Sequence, residues 1–366
     1  MMLAVKGEDR KMASSIGIYA ILFVLTNFVN KYVLSVLEFK YPTVFQGWQT
    51  LVGFIVLRLL VITKHVPAML TDTQRSDWVR WIPGMMLFAG SVYSGSKGLA
   101  NLPVPVFFAL QNLSSVIVCG VQMIITQTLI IYNRPLMYFE LTSFFTYCMM
   151  MLTVISSVVI IHSDPQFNQQ GYIWVGLHIV FTGGLQIYSK LSTGRLQASS
   201  LEKLYCNYIY CIVLFAPSSY LIGDALEAAS FPYLYFSKFW FGCILSGVFG
   251  VLLSLHSINL QEKELGPVNF AKVQGCSKIL ASFLSYLVFS DFYTANFAMW
   301  ILINLLAGLS VEDSRLCTTD KEDSEDSSHY NGTSTLLPTS RHNVLFEDYI
   351  KEDKDYIDDF TGPDDL

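Results

Sequence analysis

Residues 268–289 read VNFAKVQGCSKILASFLSYLVF, an apolar run long enough to cross a lipid bilayer as one helix. Lys278 is the eleventh residue of this run. A rise of about 1.5 Å per residue therefore places its ammonium roughly 15 Å from either face of the hydrocarbon core. A charge at that depth costs several kcal/mol, and its side chain cannot easily reach water. The run predicts a membrane protein in which this lysine meets a partner, a water-filled cavity or an anionic ligand.

The composition agrees with a membrane protein. Hydrophobic residues make up 52% of the 366 positions and charged residues only 14%, where a soluble domain carries about 25%. Residues 312–366 carry 16 acidic and 5 basic side chains, against 13 and 18 in residues 1–311. We therefore expect a disordered acidic cytosolic tail over 312–366. The seven cysteines have no metal-ligand spacing, and we expect no metal, cofactor or nucleic-acid partner.

Ten apolar runs predict ten transmembrane helices after a cytosolic N-terminal arm at 1–15. An even number of spans puts both termini on one side of the membrane. Eleven lysines and arginines lie in the arm and the even-numbered loops, against about three on the opposite side, so we expect both termini in the cytosol. The runs are 16–36, 43–62, 82–100, 104–125, 138–161, 171–190, 204–221, 239–258, 268–289 and 293–311.

The span count also predicts an internal symmetry in the ten-span domain at 16–311. Ten spans divide into two sets of five, about 16–161 and 171–311. Because five is odd, a second copy enters the membrane inverted, as in many secondary transporters. The fold class is then an all-α membrane protein of two inverted five-helix repeats, with a substrate site near the midplane. Span 4 corresponds to span 9, and their polar residues Asn112 and Lys278 both lie near mid-depth.

Span 9 carries a polar stripe on one helical face. Gln274, Lys278, Ser282 and Ser285 are separated by four, four and three residues. A polar stripe in lipid is costly unless it lines a cavity. A buried carbonyl or carboxylate partner that serves packing is the alternative, but no carboxylate lies at mid-depth in any predicted span, so we favour a lysine that faces a ligand.

Two further lysines lie nearer the predicted lumenal ends of their spans. In span 1, Asn27, Asn30 and Lys31 share a helical face by their three- and four-residue offsets. Lys97 in span 3 follows Tyr93 by one turn. Each lies close enough to the interface to extend towards water, so a ligand role and a structural role both remain open for these two lysines.

Residues 93–118, YSGSKGLANLPVPVFFALQNLSSVIV, resemble the third-to-fourth-span region of nucleotide-sugar transporters in the drug/metabolite transporter superfamily. Within that family, Lys97, Val104-Pro105 and Asn112 match motifs of the GDP-mannose transporter branch. An asparagine-lysine pair of span 1 is present as Asn30-Lys31. Motifs of spans 7 and 9 fall on Tyr205-Cys-Asn207 and Gln274-Gly-Cys-Ser277-Lys278. Residues 30–50 and 166–172 are similar, more narrowly, to the transmembrane protein 241 group.

The resemblance implies an antiporter and not an enzyme. It would exchange a cytosolic nucleotide sugar, UDP-N-acetylglucosamine by preference and GDP-mannose as the alternative, for a lumenal nucleoside monophosphate. It would lie in the Golgi membrane or the endoplasmic reticulum, and a homodimer is left open. A triose-phosphate or other phosphorylated-solute carrier, or a non-transporting regulatory relative, remain alternatives. The implied substrate-binding residues are Lys278, Asn112, Asn207, Tyr205, Lys31, Asn30, Lys97, Gln274 and Ser277.

Overall fold

The structure of this chain, a computed structural model, describes the backbone of residues 2–64, 75–133, 144–192, 196, 198–289 and 294–328. Side chains are described over 10–64, 77–124, 144–192, 196, 198–267, 269–289 and 294–311. Within these ranges every secondary-structure element is a helix, which confirms the predicted all-α class. The α-helices are α1 Met2–Lys31, α2 Pro42–Ile62, α3 Arg75–Asn101, α4 Val104–Asn133, α5 Phe144–Ser163, α6 Gln169–Leu191, α7 Ser200–Ile222, α8 Asp224–Ala228, α9 Ser237–Asn259, α10 Gly266–Phe289 and α11 Ala295–Ser328.

A long helix covers most of each predicted span, but not all of them are apolar enough to identify as spans. Six helical segments of the described chain have the length and hydropathy needed to cross a membrane. The helices α3, α6, α10 and α11 fall short of this criterion, and in α11 the apolar part is the shorter segment Ala295–Val311. The count of ten spans therefore stays a prediction. The six segments are Arg10–Val36, Pro42–Ile62, Val104–Ile124, Phe144–Ser163, Ser200–Ile222 and Ser237–Glu264.

Local sequence signals set several helix ends. Pro42 occupies the first turn of α2, where its missing N–H costs nothing. Asn168 caps α6 by accepting hydrogen bonds from the backbone amides of the next turn. Ser199 and Glu202 form a reciprocal capping box at the start of α7, and Gly223 ends that helix at φ +94°, a conformation that suits glycine.

The helices pack in a pattern with matched pairs. Helix α3 packs most extensively on α6, and α1 packs on α9; α2 contacts α9, and α3 contacts α7; α4 contacts α6, and α1 contacts α10. Helices α2 and α7 also pack together, as do α4 and α10. The predicted repeat relates α1 to α6, α2 to α7, α3 to α9 and α4 to α10. Under this relation the contact of α3 with α6 corresponds to that of α9 with α1, α2 with α9 to α7 with α3, and α4 with α6 to α10 with α1. The contacts of α2 with α7 and of α4 with α10 each join a helix to its own counterpart.

Glycines allow the closest of these contacts. A Cβ atom at Gly90 or Gly98 of α3 would lie 2.9 Å from Phe181 or 2.7 Å from Val175, both on α6. Small residues at such positions let the helix backbones approach. These two glycines of predicted span 3 are therefore explained by packing.

Helix α4 is the most enclosed of the six apolar segments. In its most apolar stretch 67% of residues are buried inside the protein, against 22–33% in the other five. Its Phe107 and Phe108 belong to the main hydrophobic cluster with Phe23 of α1 and Phe297 of α11. This burial places the polar residues of α4 among other helices.

The C-terminal region forms a separate unit, residues 317–366. The backbone of 312–328 continues α11 as a helix, where the sequence suggested a disordered tail. Residues 329–366 lie outside the described residues, and disorder there stays a prediction.

Candidate substrate site

The two polar residues expected at mid-depth are in direct contact. The ammonium of Lys278 on α10 donates a hydrogen bond to Asn112 Oδ1 on α4 over 3.1 Å. Lys278 is 5% exposed and Asn112 is 2% exposed. The contact lies where α4 and α10 pack together, at the junction of the two predicted repeats. A neutral amide oxygen accepts a hydrogen bond from an ammonium without adding a negative charge beside it.

A third buried residue, Asn304 on α11, continues this contact and was missed in the sequence. Asn112 Nδ2 donates to both the backbone oxygen and Oδ1 of Asn304, each over 3.4 Å. Asn304 Nδ2 in turn faces α5, where it lies 2.9 Å from the hydroxyl oxygens of Ser156 and Ser157. The sequence did carry a signal for this residue, since Asn304 lies in the middle of the apolar run 293–311. The depth argument used for Lys278 applies to it as well.

The remaining polar residues of α10 differ in their surroundings. Ser282 donates to the backbone oxygen of Lys278, and Ser277 donates to the backbone oxygen of Val273. Gln274 is half-buried. Ser285 is fully buried, and its hydroxyl has no hydrogen-bond partner among the described residues.

Asn207 and Tyr205 of α7 belong to a second, aromatic group of contacts. Asn207 is buried, and its Oδ1 accepts a hydrogen bond from Trp81 Nε1 of α3 over 3.0 Å. The ring of Tyr205 lies 5.4 Å from that of Phe54 and 6.5 Å from that of Trp78, between centroids. Trp81 was not expected in the site, because it immediately precedes the predicted span 82–100.

Lys31 and Asn30 of α1 tie helices together. Lys31 is buried, and its ammonium donates to the backbone oxygens of Leu99 and Leu102, each over 2.9 Å. These carbonyls lie at the C-terminal end of α3, where a cation is favourable. Asn30 Oδ1 accepts a hydrogen bond from Ser246 of α9 over 2.6 Å. These contacts favour the structural role that the sequence left open for Lys31.

Lys97 lies beside aromatic rings of the neighbouring helices. Its ammonium is 5.9 Å from the ring centroid of Trp174 on α6, within the range of a cation–π contact. The ring of Tyr93, one turn earlier on α3, packs edge-on against the same tryptophan at 5.4 Å. The lysine is half-buried, so both of its predicted roles remain open.

A buried histidine lies next to the asparagine site. His178 of α6 contacts the backbone oxygen of Ser91 at 2.9 Å and the side chain of Gln111, which precedes Asn112, at 3.3 Å. Among the residues whose structure is described, no group of three or more histidine, cysteine, aspartate or glutamate side chains could hold a metal ion. The polar groups of the site are thus amides, hydroxyls, a lysine and an imidazole.

Two open apolar grooves lie elsewhere on the surface, and both are lined by α1 and α9. Their volumes are about 350 and 390 Å³, and their lining includes Phe28 and Phe241 in the first and Leu22 and Leu252 in the second. Neither is lined by Lys278 or Asn112. Lys278 is buried, so packed helices enclose it in the described conformation.

Comparison with known proteins identifies the family. No family model matches the chain. It is 36% identical over 290 residues to the UDP-N-acetylglucosamine transporter TMEM241 homolog of Xenopus laevis, covering 79% of this chain and 92% of the relative. It is 37% identical over 267 residues to the UDP-N-acetylglucosamine transporter TMEM241 of Mus musculus, covering 73% and 84%.

More distant matches agree with these relatives. The GDP-mannose transporter of Chaetomium globosum is 25% identical over 267 residues, covering 67% of this chain and 64% of its own length. A solved crystal structure resembles 82% of this chain and 96% of its own with a TM-score of 0.50 at 14% identity, a likeness that concerns the fold alone. The named relatives are transporters and not enzymes, as expected. This chain is a multi-pass membrane protein that belongs to the nucleotide-sugar transporter family.

Proposed function

We propose that this protein is an antiporter that exchanges a cytosolic nucleotide sugar for a lumenal nucleoside monophosphate. UDP-N-acetylglucosamine is the preferred substrate, because two relatives with at least 36% identity carry its name. GDP-mannose is the alternative, from the more distant relatives. The membrane is that of the Golgi apparatus, or else of the endoplasmic reticulum, with both termini in the cytosol.

The observation that carries this proposal is the hydrogen bond between Lys278 and Asn112. It supports a role for Lys278 as the cation that binds the diphosphate of the nucleotide sugar. A lysine ammonium has three N–H donors, so it can hold Asn112 Oδ1 and a phosphate oxygen together. Charge-assisted hydrogen bonds of this kind are about twice as strong as neutral ones. An anionic ligand would thus neutralise a charge that the amide partner leaves in place.

The aromatic group around Asn207 is the proposed site for the base. Trp81 Nε1 donates to Asn207 Oδ1 and thereby orients the amide. The Nδ2 group of Asn207 is then a donor for a carbonyl oxygen, which both uracil and guanine present. The neighbouring Tyr205 offers a ring on which a base can stack. We keep Gln274 and Ser277 as predicted contacts of the sugar or phosphate.

Exchange of these two ligands also suits the charge of the site. The diphosphate of a nucleotide sugar carries about two negative charges, and a nucleoside monophosphate carries a similar charge near neutral pH because its second pKa is near 6. One-for-one exchange is then nearly electroneutral. It also spares the carrier from returning an unneutralised Lys278 through the hydrocarbon core.

The proposed mechanism needs alternating access. Lys278 is enclosed in the described conformation, so a ligand reaches it only if helices separate. The matched packing of α3 on α6 and α1 on α9 supports two inverted repeats that rock against each other. The contact between Asn112 and Lys278 joins the two repeats, so it would stay central in both orientations.

The test is counterflow in proteoliposomes. Purified protein is reconstituted in vesicles preloaded with UMP or GMP and offered labelled UDP-N-acetylglucosamine, UDP-galactose or GDP-mannose. We expect saturable uptake of UDP-N-acetylglucosamine that requires UMP inside the vesicles. Saturable uptake of GDP-mannose with GMP would instead name guanine as the base. Absence of uptake by folded protein would refute the antiporter and favour a phosphorylated-solute carrier or a non-transporting relative.

A further inference from the structure

The side chain of Asn304 is enclosed between the proposed substrate site and α5. It is fully buried on α11, a helix that supplies none of the implied substrate-binding residues. Its Nδ2 lies 3.0 Å from the backbone oxygen of Thr153 and 2.9 Å from each hydroxyl of Ser156 and Ser157. These three residues lie within about one turn of α5, at offsets of three and four positions. Their polar groups therefore share the face of α5 that meets α11.

The hydroxyls of α5 accept from Asn304 because their own protons are used elsewhere. Ser156 donates to the backbone oxygen of Leu152 over 2.6 Å, and Ser157 donates to that of Thr153 over 2.7 Å. Their oxygens are thereby available as acceptors. The donors then run in one direction, from Lys278 to Asn112, to Asn304 and to α5. Hydrogen bonds in such a chain polarise and strengthen one another.

Asn304 determines which end of the Asn112 amide faces the lysine. Asn112 gives its Nδ2 donors to Asn304, and its Oδ1 accepts from Lys278. A reversed amide would set an NH₂ group against an ammonium, donor against donor. The hydrogen bonds to Asn304 thus hold Asn112 in the only orientation that serves Lys278.

The same face of α11 also confines Asn112 sterically. Gly308 lies one turn after Asn304, and a Cβ atom there would be 2.4 Å from Asn112 Nδ2. The α11 backbone therefore approaches this side chain as closely as glycine permits.

We propose that Asn304 is a positioning residue for substrate binding, which holds Asn112, and through it Lys278, in the geometry that binds the ligand's phosphate. This inference rests on the proposed function of Lys278. Asn304 touches no substrate in this scheme. It contributes by removing rotameric freedom from Asn112 before the ligand arrives, and preorganisation of this kind improves affinity without a new contact.

The experiment compares Asn304→Leu with wild type in the counterflow assay. Leucine has a similar volume and removes both ends of the amide, whereas the backbone oxygen of residue 304 stays as an acceptor for Asn112. The serines of α5 keep their bonds to their own helix. We expect KM for the nucleotide sugar to rise about tenfold and the turnover rate to stay within about twofold. The matched control is Asn27→Leu, which removes an amide that donates to the Phe23 oxygen of its own helix. Its KM should stay within about twofold of wild type.

A double-mutant cycle separates positioning from general packing. If Asn304 acts through Asn112, then Asn304→Leu adds almost nothing to KM in an Asn112→Ala protein. Additive effects of the two substitutions on KM, or a wild-type KM for Asn304→Leu, would overturn the inference. The proposed function would stand in either case, provided that the wild-type protein transports.

The same cycle is measured in the melting temperatures of the four purified proteins without substrate. Coupled shifts are expected, because each single substitution removes the hydrogen bond between Asn112 Nδ2 and Asn304 Oδ1. If the wild-type protein transports nothing, the proposed function fails. This second cycle then still decides whether Asn304 holds Asn112, and additive shifts would reject the contact.

Discussion

The substitution Lys278→Met tests the proposed site most directly, because it removes the charge and keeps an unbranched side chain. Its effect on transport follows from what the lysine offers a phosphate. A hydrogen bond to a charged group contributes about 1.5–3 kcal/mol, and a charge pair about 4 Å apart contributes about 4 kcal/mol at an effective dielectric constant near 20. A loss of about 2–4 kcal/mol corresponds to a decrease of about 30- to 700-fold in kcat/KM for exchange.

Lys278→Met should weaken transport but leave the stability of the folded protein unchanged or slightly higher. Burying an ammonium costs several kcal/mol, and a hydrogen bond to a neutral amide offsets that cost only in part. Methionine removes that cost and leaves Asn112 without one donor, a loss of about 1 kcal/mol. We therefore expect a melting temperature equal to or above that of wild type. Loss of transport with undiminished stability would assign the lysine to the ligand and not to the fold.

The assay is counterflow of the donor identified for wild type, together with the melting temperature of the purified protein. The matched control is Lys272→Met, which removes an exposed lysine from the same helix and should leave kcat/KM within about twofold. Exchange by Lys278→Met within about threefold of wild type would refute the reasoning. So would a variant that melts well below wild type, because Lys278 would then be a structural residue.

Three further substitutions test the surroundings of the site. Trp81→Phe keeps an aromatic ring but removes the indole donor to the amide of α7; KM should rise about threefold to tenfold, and an unchanged KM would reject the base site. Lys31→Met removes two charged hydrogen bonds at the end of α3; the melting temperature should fall by about 5 °C with KM unchanged. A higher KM at wild-type stability would instead make this lysine a ligand contact. Gly308→Ala places a Cβ atom 2.4 Å from Asn112 Nδ2 and should raise KM about tenfold, whereas Gly176→Ala, whose Cβ would meet no atom within 4 Å, should leave KM unchanged.

The sequence predicted that Lys278 and Asn112 lie at a similar depth, though not that they touch, because depth in a membrane is a strong physical constraint. A lysine in the middle of an apolar run is stable only beside a polar partner, water or an anion. The predicted inverted repeat placed Asn112 at the same depth in the membrane. The two residues are indeed hydrogen-bonded over 3.1 Å. The all-helical class followed from the same constraint, because helices satisfy their own backbone hydrogen bonds in lipid.

Other parts of the site were missed because their signals depend on partners. Asn304 is a lone amide in the apolar run 293–311, and nothing local shows that the hydroxyls of α5 face it. Trp81 fell just outside a predicted span, where an interfacial tryptophan needs no special explanation. The role of Lys31 depended on whether carbonyls of α3 lay within its reach, which only tertiary packing determines.

The choice of an amide as the partner of Lys278 suits a carrier of anions. A carboxylate in place of Asn112 would neutralise the lysine. The diphosphate would then have to displace that carboxylate or bind beside it against electrostatic repulsion. Asn112 satisfies a donor of the ammonium without removing its charge, so the attraction for an incoming phosphate is retained. The chain of donors through Asn304 to α5 ends on neutral groups as well. The site thus gains geometric order from hydrogen bonds to neutral groups, which add no negative charge that would repel the ligand.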